Sequence, residues 1–329
     1  MAMTLADMKA GMSDKVAQQV VDIFLRNSAV LQNLQFDNCV SPQGGSTLTY
    51  AYIQKKLPSV ASFRALNAEY AANEATVVKK TADLKIFGGK FSMDRVLKQA
   101  EGRYNNMAFQ MQEKILSAIS LFHHTMINGN STTDAKEFDG LDKMLAGTST
   151  EYGTTAVINV STMELLKTNA DQLYEAIQNL VSATQADALL LNASMLSKIQ
   201  TMARILGYKT DSEEAFGRKV LTMDGVKLVD LGKHYTVSGS AATGADCVKA
   251  GISRTVGSAQ TGLTDIYAVK FDINDGFHAA SLTGNSAISQ YVPDFNAPGA
   301  VKEGEVEMVA ATVLKNTQHA GVLRNIKIA

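Results

Sequence analysis

The chain has 329 residues and a mass of 35.3 kDa, enough for one large domain or two modest ones with a buried core. Hydrophobic residues make up 46% of it and charged residues 19%, which is typical of a globular protein and excludes a disordered one. The net charge is -1, so no chain-wide positive field attracts nucleic acid or an anionic membrane.

The cysteines and the N-terminal segment indicate a reducing compartment. Cys39 and Cys247 form no CxxC pattern, so neither a disulfide framework nor a zinc ribbon is indicated. Charged residues occupy the N-terminal segment where a signal peptide needs an apolar run, namely Asp7, Lys9, Asp14 and Lys15. No run of about 18 apolar residues indicates a membrane span. We therefore expect a protein made and used in a cytoplasm.

The first predicted elements are a short helix and a long hairpin. Apolar residues recur at helical spacing from Ser13 to Arg26, which predicts an amphipathic helix. From Gly44 the pattern has period two, and a second extended run covers 76–87, so a hairpin with a polar tip is predicted. A two-stranded ribbon is marginal in water by itself. We expect this hairpin to lie against something else, such as another subunit.

A single long helix is predicted from Phe91 to Asn130. Its apolar stripe steps by three and four residues through Val96, Leu97, Ala100, Tyr104, Met107, Met111, Ile115, Ala118, Phe122 and Met126. Ser92 is the expected N-cap and Asn128-Gly129 the stop, giving about 35 residues and roughly 50 Å. Such a helix would be a spine across a flat or elongated molecule.

The second half of the chain predicts helices packed on a sheet. Asn169 and Gln172 indicate a capping-box start of one helix, Ser194 starts another, and a buried strand over 186–192 lies between them. Asp224-Gly225 predicts the turn of a hairpin. The segment 233–262 is rich in Gly, Ser, Thr and Ala and is interpreted as a long loop. Closing strands are predicted over 266–271, 303–314 and 322–328.

Two candidate metal sites lie at the end of the long helix and just after it. His123 and His124 are neighbours, so on a helix their side chains diverge by about 100° and cannot both bind one ion as an i, i+4 pair does. A calcium loop starting at Asn128 would place Thr133 where glycine is needed and Asp139 where a glutamate is expected. The structural interpretation is favoured for both segments.

Three glutamates and two lysine pairs are the remaining candidates. Glu303, Glu305 and Glu307 alternate along a predicted strand, so their carboxylates share one face that is either solvated or meets arginines of a neighbouring molecule. Lys55-Lys56 and Lys79-Lys80 are interpreted as solvated surface and not as phosphate contacts. Neither a GxxxxGK[ST] loop nor a GxSxG elbow occurs in the sequence. No catalytic, cofactor-binding or metal-binding residue is predicted.

A series of short phrases resembles the major capsid protein of tailed double-stranded DNA bacteriophages, the Hong Kong 97-type shell subunit. Similar phrases occur there in the same order and cover most of the chain. They are SAVLQNLQF, GGSTLTYAYI, ASFRALN, LKIFGGKFSMDR, MINGN, FDGLDKML, DALLLNASMLSKIQTM, KVLTMDGVKLV, DIYAVKFDINDG and YVPDFNAPGAVKEGEVEMVAATVLKNTQHAGVLRNIKI.

The resemblance implies an α+β Hong Kong 97-like capsid fold. Its expected parts are an N-terminal arm (1–40), an extended loop (41–91), a peripheral domain with the spine helix (92–150), an axial domain (151–287) and a return to the peripheral domain with the closing strands (288–329). Segment 122–145 would then be the spine helix leaving the peripheral domain and turning toward the axial one. The 233–262 loop would lie near the capsomer axis.

The resemblance also implies a function. The chain would be a structural shell protein and not an enzyme. It would assemble with itself as hexamers and pentamers into an icosahedral capsid around double-stranded DNA, bound without sequence specificity. We expect assembly in a host bacterial cytoplasm, a final location in the virion, a portal and a separate scaffolding protein, and no cofactor or membrane.

Two features depart from the resemblance, and three alternatives stay open. With the spine near residue 92, we expect a separate scaffolding protein and not a cleaved scaffolding segment, and no crosslinking lysine or asparagine aligns. The nearest alternative is an encapsulin-type nanocompartment that encloses cargo enzymes. A metal-dependent enzyme would use His123, His124 or the Glu303 to Glu307 face, and a soluble binding module would be a stable monomer.

Overall fold

Seven α-helices occur in the described part of the chain. A computed structural model describes residues 29–39, 48–57, 59–100, 106–207, 211–215, 218–239, 241–282 and 288–329. The helices are α1 Ala29–Asn33, α2 Arg95–Gln99, α3 Asn106–Asn128, α4 Leu141–Leu145, α5 Met163–Thr168, α6 Ala170–Thr184 and α7 Ala193–Leu206. The helix predicted over 13–26 lies outside the described residues.

Eighteen strands accompany these helices within the same described ranges. They are β1 Phe36–Asn38, β2 Thr49–Leu57, β3 Thr76–Asp83, β4 Lys85–Asp94, β5 Glu151–Tyr152, β6 Ile158–Asn159, β7 Ala188–Leu191, β8 Asp211–Ala215, β9 Arg218–Met223, β10 Val226–Asp230, β11 Lys233–Ser238, β12 Ala241–Asp246, β13 Ile252–Val256, β14 Ser258–Val269, β15 Phe277–Ser281, β16 Ile288–Tyr291, β17 Val301–Leu314 and β18 Ala320–Lys327. The mixture of helices and strands confirms the predicted α+β class.

A five-stranded sheet carries the long helix on one face. Strand β17 is its centre, because β4 pairs with one edge of β17 and β15 and β16 pair with the other, while β1 extends the sheet beyond β15. Helix α3 packs on this sheet through Met111, which lies against Phe91 and Val306. Burying this apolar face stabilises the sheet and holds the helix along it.

A nine-stranded sheet forms the second half of the molecule. Its order is β5-β18-β14-β7-β10-β9-β8, with β13 paired to β14 and β6 paired to β18. The four residues of β7 are all buried, as expected for a central strand covered on both faces. Helices α6 and α7 cover one face with Leu173, Ile177, Met195 and Ile199.

A cluster of phenylalanines connects the N-terminal segment, β4, α3 and the loop that follows α3. Phe122 of α3 is fully buried, and its ring centroid lies 6.2 Å from those of Phe36 and Phe87 and 5.7 Å from that of Phe138. Aromatic pairs at these distances add to the stabilisation that burial provides. The cluster therefore fixes α3 between the first strands and the chain that leaves the helix.

The long helix is shorter than predicted. Residues 91–94 continue strand β4, where Phe91 pairs with Gly304 and Met93 with Lys302 of β17. Ser92 is therefore not an N-cap, and α2 is instead capped by Asp94, whose carboxylate accepts from the Val96 amide at 2.8 Å. The apolar residues of 91–97 fit helical spacing, but Phe91 and Met93 also fit the alternation of a strand, so spacing alone does not decide between the two. The predicted stop is confirmed, since α3 ends at Asn128.

The predicted loop over 233–262 is wrong. Strands β11 and β12 form a hairpin with Lys233 opposite Asp246, and β13 pairs with the start of β14. Most side chains of β11 and β12 are exposed, so neither face selects apolar residues and the period-two signal is missing. Regular alternation marks only strands that bury one face, and small residues can form strands without it.

Two helix starts differ in detail from the prediction, and one turn is confirmed. The Asn169 side chain makes no cap hydrogen bond and instead donates to the Asn159 carbonyl at 2.8 Å. Helix α7 is capped by Asn192, whose side chain accepts from the Met195 amide at 2.9 Å. Between β9 and β10, Asp224 and Gly225 have φ of +52° and +82°, which is the backbone of a tight hairpin turn.

Candidate assembly surfaces

The stem of the predicted hairpin packs on the body of its own chain. Strands β2 and β3 pair from Thr49 opposite Asp83 outward. Tyr50 and Tyr52 pack against the buried core, and the Tyr50 hydroxyl donates to the Asp37 carboxylate at 2.5 Å. The Gln54 side chain donates to the Leu314 carbonyl. The stem of the hairpin is therefore supported by the body of the same chain and does not depend on another subunit.

The tip of the hairpin, residues 59–75, lies entirely at the surface. Phe63 is 106% exposed and Leu66 is 89% exposed. The tip has contacts of its own, because Arg64 donates to two carbonyls of the tip and its guanidinium lies 5.4 Å from the ring centroid of Tyr70. Large apolar side chains that are exposed within one short segment are typical of a surface that binds another molecule.

The outward face of the hairpin stem carries exposed apolar side chains and a cation. We use the term ribbon face for Ile53, Val77 and Lys79. Ile53 and Lys79 are opposite each other in the β2–β3 register, and Val77 lies two residues from Lys79 on the same side. Ile53 and Val77 are 67% and 60% exposed. The ribbon face therefore presents two aliphatic side chains and an ammonium group to solvent.

The three glutamates predicted to share a strand face do so on the outer side of the five-stranded sheet. Residues of β17 alternate between exposed and buried from Val301 to Met308, with Glu303 and Glu305 exposed and Glu307 half-buried. Lys90 of β4 lies opposite Glu305 and forms a 3.0 Å ion pair with Glu303. This hydrogen bond raises the pKa of Lys90. We call these three glutamates and Lys90 the carboxylate face.

The two adjacent histidines face different surroundings, as the helix geometry predicted. His123 is fully buried. The ring of His124 lies 5.3 Å from the ring of His234 on β11, and the Ser120 hydroxyl lies 3.3 Å from Nδ1 of His234. Burial, and after it the charges of His234 and Lys249, lower the pKa of His124 to about 4. The contact between His124 and His234 connects α3 to the β11–β12 hairpin.

The candidate calcium loop is the turn by which the chain leaves α3. The Asn128 amide donates to the Cys247 carbonyl at 2.7 Å, and the Asp139 carboxylate accepts from the Ser131 amide and from Lys143 at 2.9 and 2.7 Å. The polar side chains of the turn are therefore bound to other groups of the protein. Among the described residues, no three His, Cys, Asp or Glu side chains are grouped so that they could hold a metal ion.

A buried network of charges that was not predicted from the sequence lies between α4 and the strands β5, β14 and β18. Asp265 is 1% exposed and receives two hydrogen bonds of 2.6 Å from Arg254. Arg324 contacts Asp142 at 2.6 Å, Asp265 at 3.3 Å and the carboxylate of Glu151. Burial is the largest single effect and works against the charged form of Asp142, but the hydrogen bonds from Arg324 and Tyr267 and the charges of Arg324 and Arg254 together lower its pKa. Its members are single charges far apart in the sequence, so no spacing pattern predicts the network.

A cleft of about 490 Å³ separates the hairpin stem from the turn after α3. Its charged lining includes Lys85 and Lys143, which donate to the Ala135 carbonyl and to Asp139 respectively. Both lysines are thus bound to groups of the protein itself, and the cleft is the boundary between the hairpin stem and the body. None of the described helices is both long enough and apolar enough to cross a membrane.

Comparison with known proteins gives a consistent result for the fold. No protein-family model and no curated protein matches the sequence. The chain of the holo-SrpI encapsulin complex from Synechococcus elongatus PCC 7942 has a similar structure, with a TM-score of 0.62 and 12% identity over 92% of this chain and 89% of that one.

Two further structures resemble this chain over a similar extent. The capsid of the native GTA particle has a TM-score of 0.57 and 11% identity over 91% of both chains. A chain of Mycobacterium phage Bobi has a TM-score of 0.54 and 12% identity over 90% of this chain and 89% of that one. The long helix on a sheet, the projecting hairpin and the second sheet therefore form the Hong Kong 97-type capsid fold.

Proposed function

We propose that this chain is the shell subunit of a bacteriophage capsid, forming hexamers and pentamers that close into an icosahedral particle around double-stranded DNA. The observation that carries the proposal is the hairpin tip, with Phe63 and Leu66 fully open to solvent on a body that has a capsid fold. A monomer gains nothing from such a surface. A neighbouring copy that covers the tip makes folding and assembly support each other.

The wider assignment follows from this role. The subunit's main partner is itself, and its location is the virion, after assembly in the cytoplasm of a bacterial host. A portal and a separate scaffolding protein are proposed as further partners, and the packaged DNA is held without sequence specificity. The division into arm, extended loop, peripheral and axial domains stays a prediction from the sequence, and 233–262 is proposed to reach the capsomer axis as the β11–β12 hairpin and its neighbours.

An encapsulin-type shell is the second candidate, and a specific observation favours it. One of the similar structures is an encapsulin complex, so the fold alone does not choose between the two kinds of particle. The phage assignment is preferred because the ordered sequence phrases resemble phage capsid proteins. The content of purified particles separates the two, since double-stranded DNA supports a capsid and an enzyme cargo without DNA supports a nanocompartment.

The first experiment is negative-stain electron microscopy of the protein expressed with and without its presumed scaffold, together with its mass in solution. We expect closed shells, tubes or ring-shaped capsomers. A protein that is uniformly monomeric or dimeric in both preparations would contradict the proposal, and the carboxylate face and the histidines would then be tested as sites of another activity.

A further inference from the structure

A row of polar side chains on α3 faces the base of the β11–β12 hairpin. Ser120, His124 and Asn128 are spaced by four residues, so they lie on one side of the helix. The Ser120 hydroxyl donates to the Lys233 carbonyl at 3.1 Å, and the Asn128 side-chain amide donates to the Cys247 carbonyl at 2.7 Å. These two hydrogen bonds fix the hairpin to α3 on either side of His124.

His124 meets a second imidazole group, which comes from the hairpin. The ring centroids of His124 and His234 are 5.3 Å apart, and the two rings are inclined by 40°. Two imidazole groups bound to one tetrahedral ion at metal–nitrogen distances of about 2.0–2.1 Å have ring centroids roughly 5 Å apart. The separation of the two rings therefore matches that of two ligands of one ion. Both residues are half-buried, so water can complete the coordination of such an ion.

The Ser120 hydroxyl orients the imidazole of His234. Its oxygen lies 3.3 Å from Nδ1 of His234. A hydroxyl has only one hydrogen, and that of Ser120 is donated to the Lys233 carbonyl, so the oxygen accepts from an N–H at Nδ1 of His234. Nε2 is then the nitrogen without a hydrogen. Histidines that bind a metal through one ring nitrogen almost always donate from the other to an oxygen in this way.

The charges around the two imidazoles limit how tightly a cation is held. Burial, and after it the charges of His234 and Lys249, lower the pKa of His124, so the ammonium group of Lys249 lies close to the pair. The nearby carboxylate of Asp246 forms an ion pair with Lys233 at 3.6 Å. Two neutral nitrogen ligands favour zinc, nickel or copper over magnesium and calcium, which need oxygen ligands.

We propose that His124 and His234 bind one divalent transition-metal ion, with Nε2 of His234 as a ligand and water in the remaining positions. The ion links α3 to the β11–β12 hairpin. The sequence directed attention to His123 and His124, which diverge around the helix and cannot share an ion. The second ligand comes instead from a strand that is distant in the sequence. This site does not depend on the proposed shell function.

Calorimetric titration of the unassembled full-length subunit with zinc chloride tests the site. We expect one zinc ion per chain, and slower hydrogen exchange at the amides of β11 and β12 when zinc is bound. His124→Gln and His234→Gln are each expected to weaken binding by at least about tenfold, since even losing a group that only orients a ligand has an effect of that size. Lys249→Gln removes the nearby positive charge and is expected to strengthen binding by about threefold.

A matched control uses a histidine elsewhere in the chain. His319 is half-buried and lies 3.3 Å from the carboxylate of Asp275, so His319→Gln makes the same change away from the two imidazoles. This variant is expected to bind zinc as the unsubstituted chain does. Ser120→Ala removes the hydroxyl that orients His234 and is expected to weaken binding by about tenfold. The thermal unfolding midpoint without metal shows which variants fold.

The outcomes decide the proposal without reference to particle formation. Binding of one zinc ion that is lost in both His124→Gln and His234→Gln and kept in His319→Gln supports the site. No binding by the unsubstituted chain in a large excess of zinc, or unchanged binding in either of the two variants, overturns it. Lys249 is exposed, so Lys249→Gln is expected to fold even where a histidine variant does not, and binding that is no stronger in Lys249→Gln also overturns the site.

Discussion

At the scale of single residues, the buried charge network has the largest expected effect on stability. Arg324 is 9% exposed and contacts three carboxylates that come from α4, β5 and β14. Asn325 beside it has φ of +62°, and its amide donates to Asp265 at 3.1 Å. A left-handed residue turns the chain locally, and here the Arg324 side chain and the backbone N–H of Asn325 both reach the Asp265 carboxylate.

Replacing Arg324 by alanine is expected to lower the free energy of unfolding by about 3–5 kcal/mol, because it leaves Glu151 and Asp142 without their cation and Asp265 with Arg254 alone. Chemical denaturation of the unassembled subunit measures this. Arg204 is exposed at the end of α7, and Arg204→Ala should change the same free energy by less than about 1 kcal/mol. Equal losses in both variants would show that the network contributes nothing beyond an ordinary surface charge.

Because of His278, we expect the free energy of unfolding of the subunit to fall in mild acid. The residue is fully buried on β15, its ring lies 5.8 Å from the ring of Tyr50, and Asp37, Asp272 and Lys315 are the nearby charges. Burial, and after it Lys315, lower its pKa from 6.5 to about 4. Below pH 6.5 the unfolded state binds a proton that the folded state does not, so stability falls as the pH falls through this window.

The expected loss from this histidine between pH 7 and pH 4 is at most about 3 kcal/mol. His278→Gln removes the titrating group, so its free energy of unfolding should fall less over the same range, whatever its value at pH 7. Denaturant midpoints at several pH values give both slopes. Identical slopes for the two proteins would exclude this residue as the cause.

At the scale of elements, the exit from α3 depends on two glycines that approach each other. The Gly140 amide donates to the Gly129 carbonyl at 2.8 Å. A Cβ atom at Gly140 would lie 2.6 Å from the carbonyl oxygens of Thr125 and Ile127. The end of the helix and the start of α4 can pass this closely only because a side chain is missing there.

Gly140→Ala is therefore expected to destabilise the subunit by about 1–3 kcal/mol, since the backbone atoms that the new methyl group meets must move. Gly147 is a comparison in open space with φ of +72°. Gly147→Ala should cost about 1 kcal/mol through backbone strain alone. Thermal unfolding of both variants gives the comparison, and a smaller shift for Gly140→Ala would contradict the close approach.

Elements with one buried face could be predicted from the sequence, and elements defined by distant pairing could not. The alternation in β17 and the helical spacing in α6 reflect burial that each element shows by itself. Residues 91–94 join β4 because they pair with a strand more than 200 positions away. The β11–β12 hairpin buries little on either face. Local spacing carries no information about such partners.

The same reasoning applies to the candidate surfaces. The shared face of Glu303, Glu305 and Glu307 and the divergence of His123 from His124 follow from strand and helix geometry alone. Lys90 lies opposite Glu305 only because of the β4–β17 register. Arg254 and Arg324 meet at Asp265 only because β13, β14 and β18 are neighbours in the sheet. Each required the fold before the contact could be known.

At the scale of the whole molecule, the body and the stem of the hairpin contribute buried apolar surface to the folded subunit, whereas the tip of the hairpin does not. The described part of the body has two large sheets, of five and nine strands, and buried apolar clusters cover both of them. The hairpin stem adds Tyr50 and Tyr52 to one of these clusters, whereas the tip adds no buried residue. Folding of the subunit and its assembly therefore depend on separate parts of the chain, which allows them to be tested separately.

Replacing the tip, residues 59–75, by a short Asn-Gly turn tests this separation. The change removes exposed side chains and shortens a loop, so the free energy of unfolding of the subunit should change by no more than about 1 kcal/mol. Particles should be absent, because Phe63 and Leu66 no longer reach a neighbouring copy. Denaturation and sedimentation velocity measure the two effects on one sample. Particles that form normally without the tip would show that assembly uses other surfaces, and a subunit that unfolds would show that the tip belongs to the body.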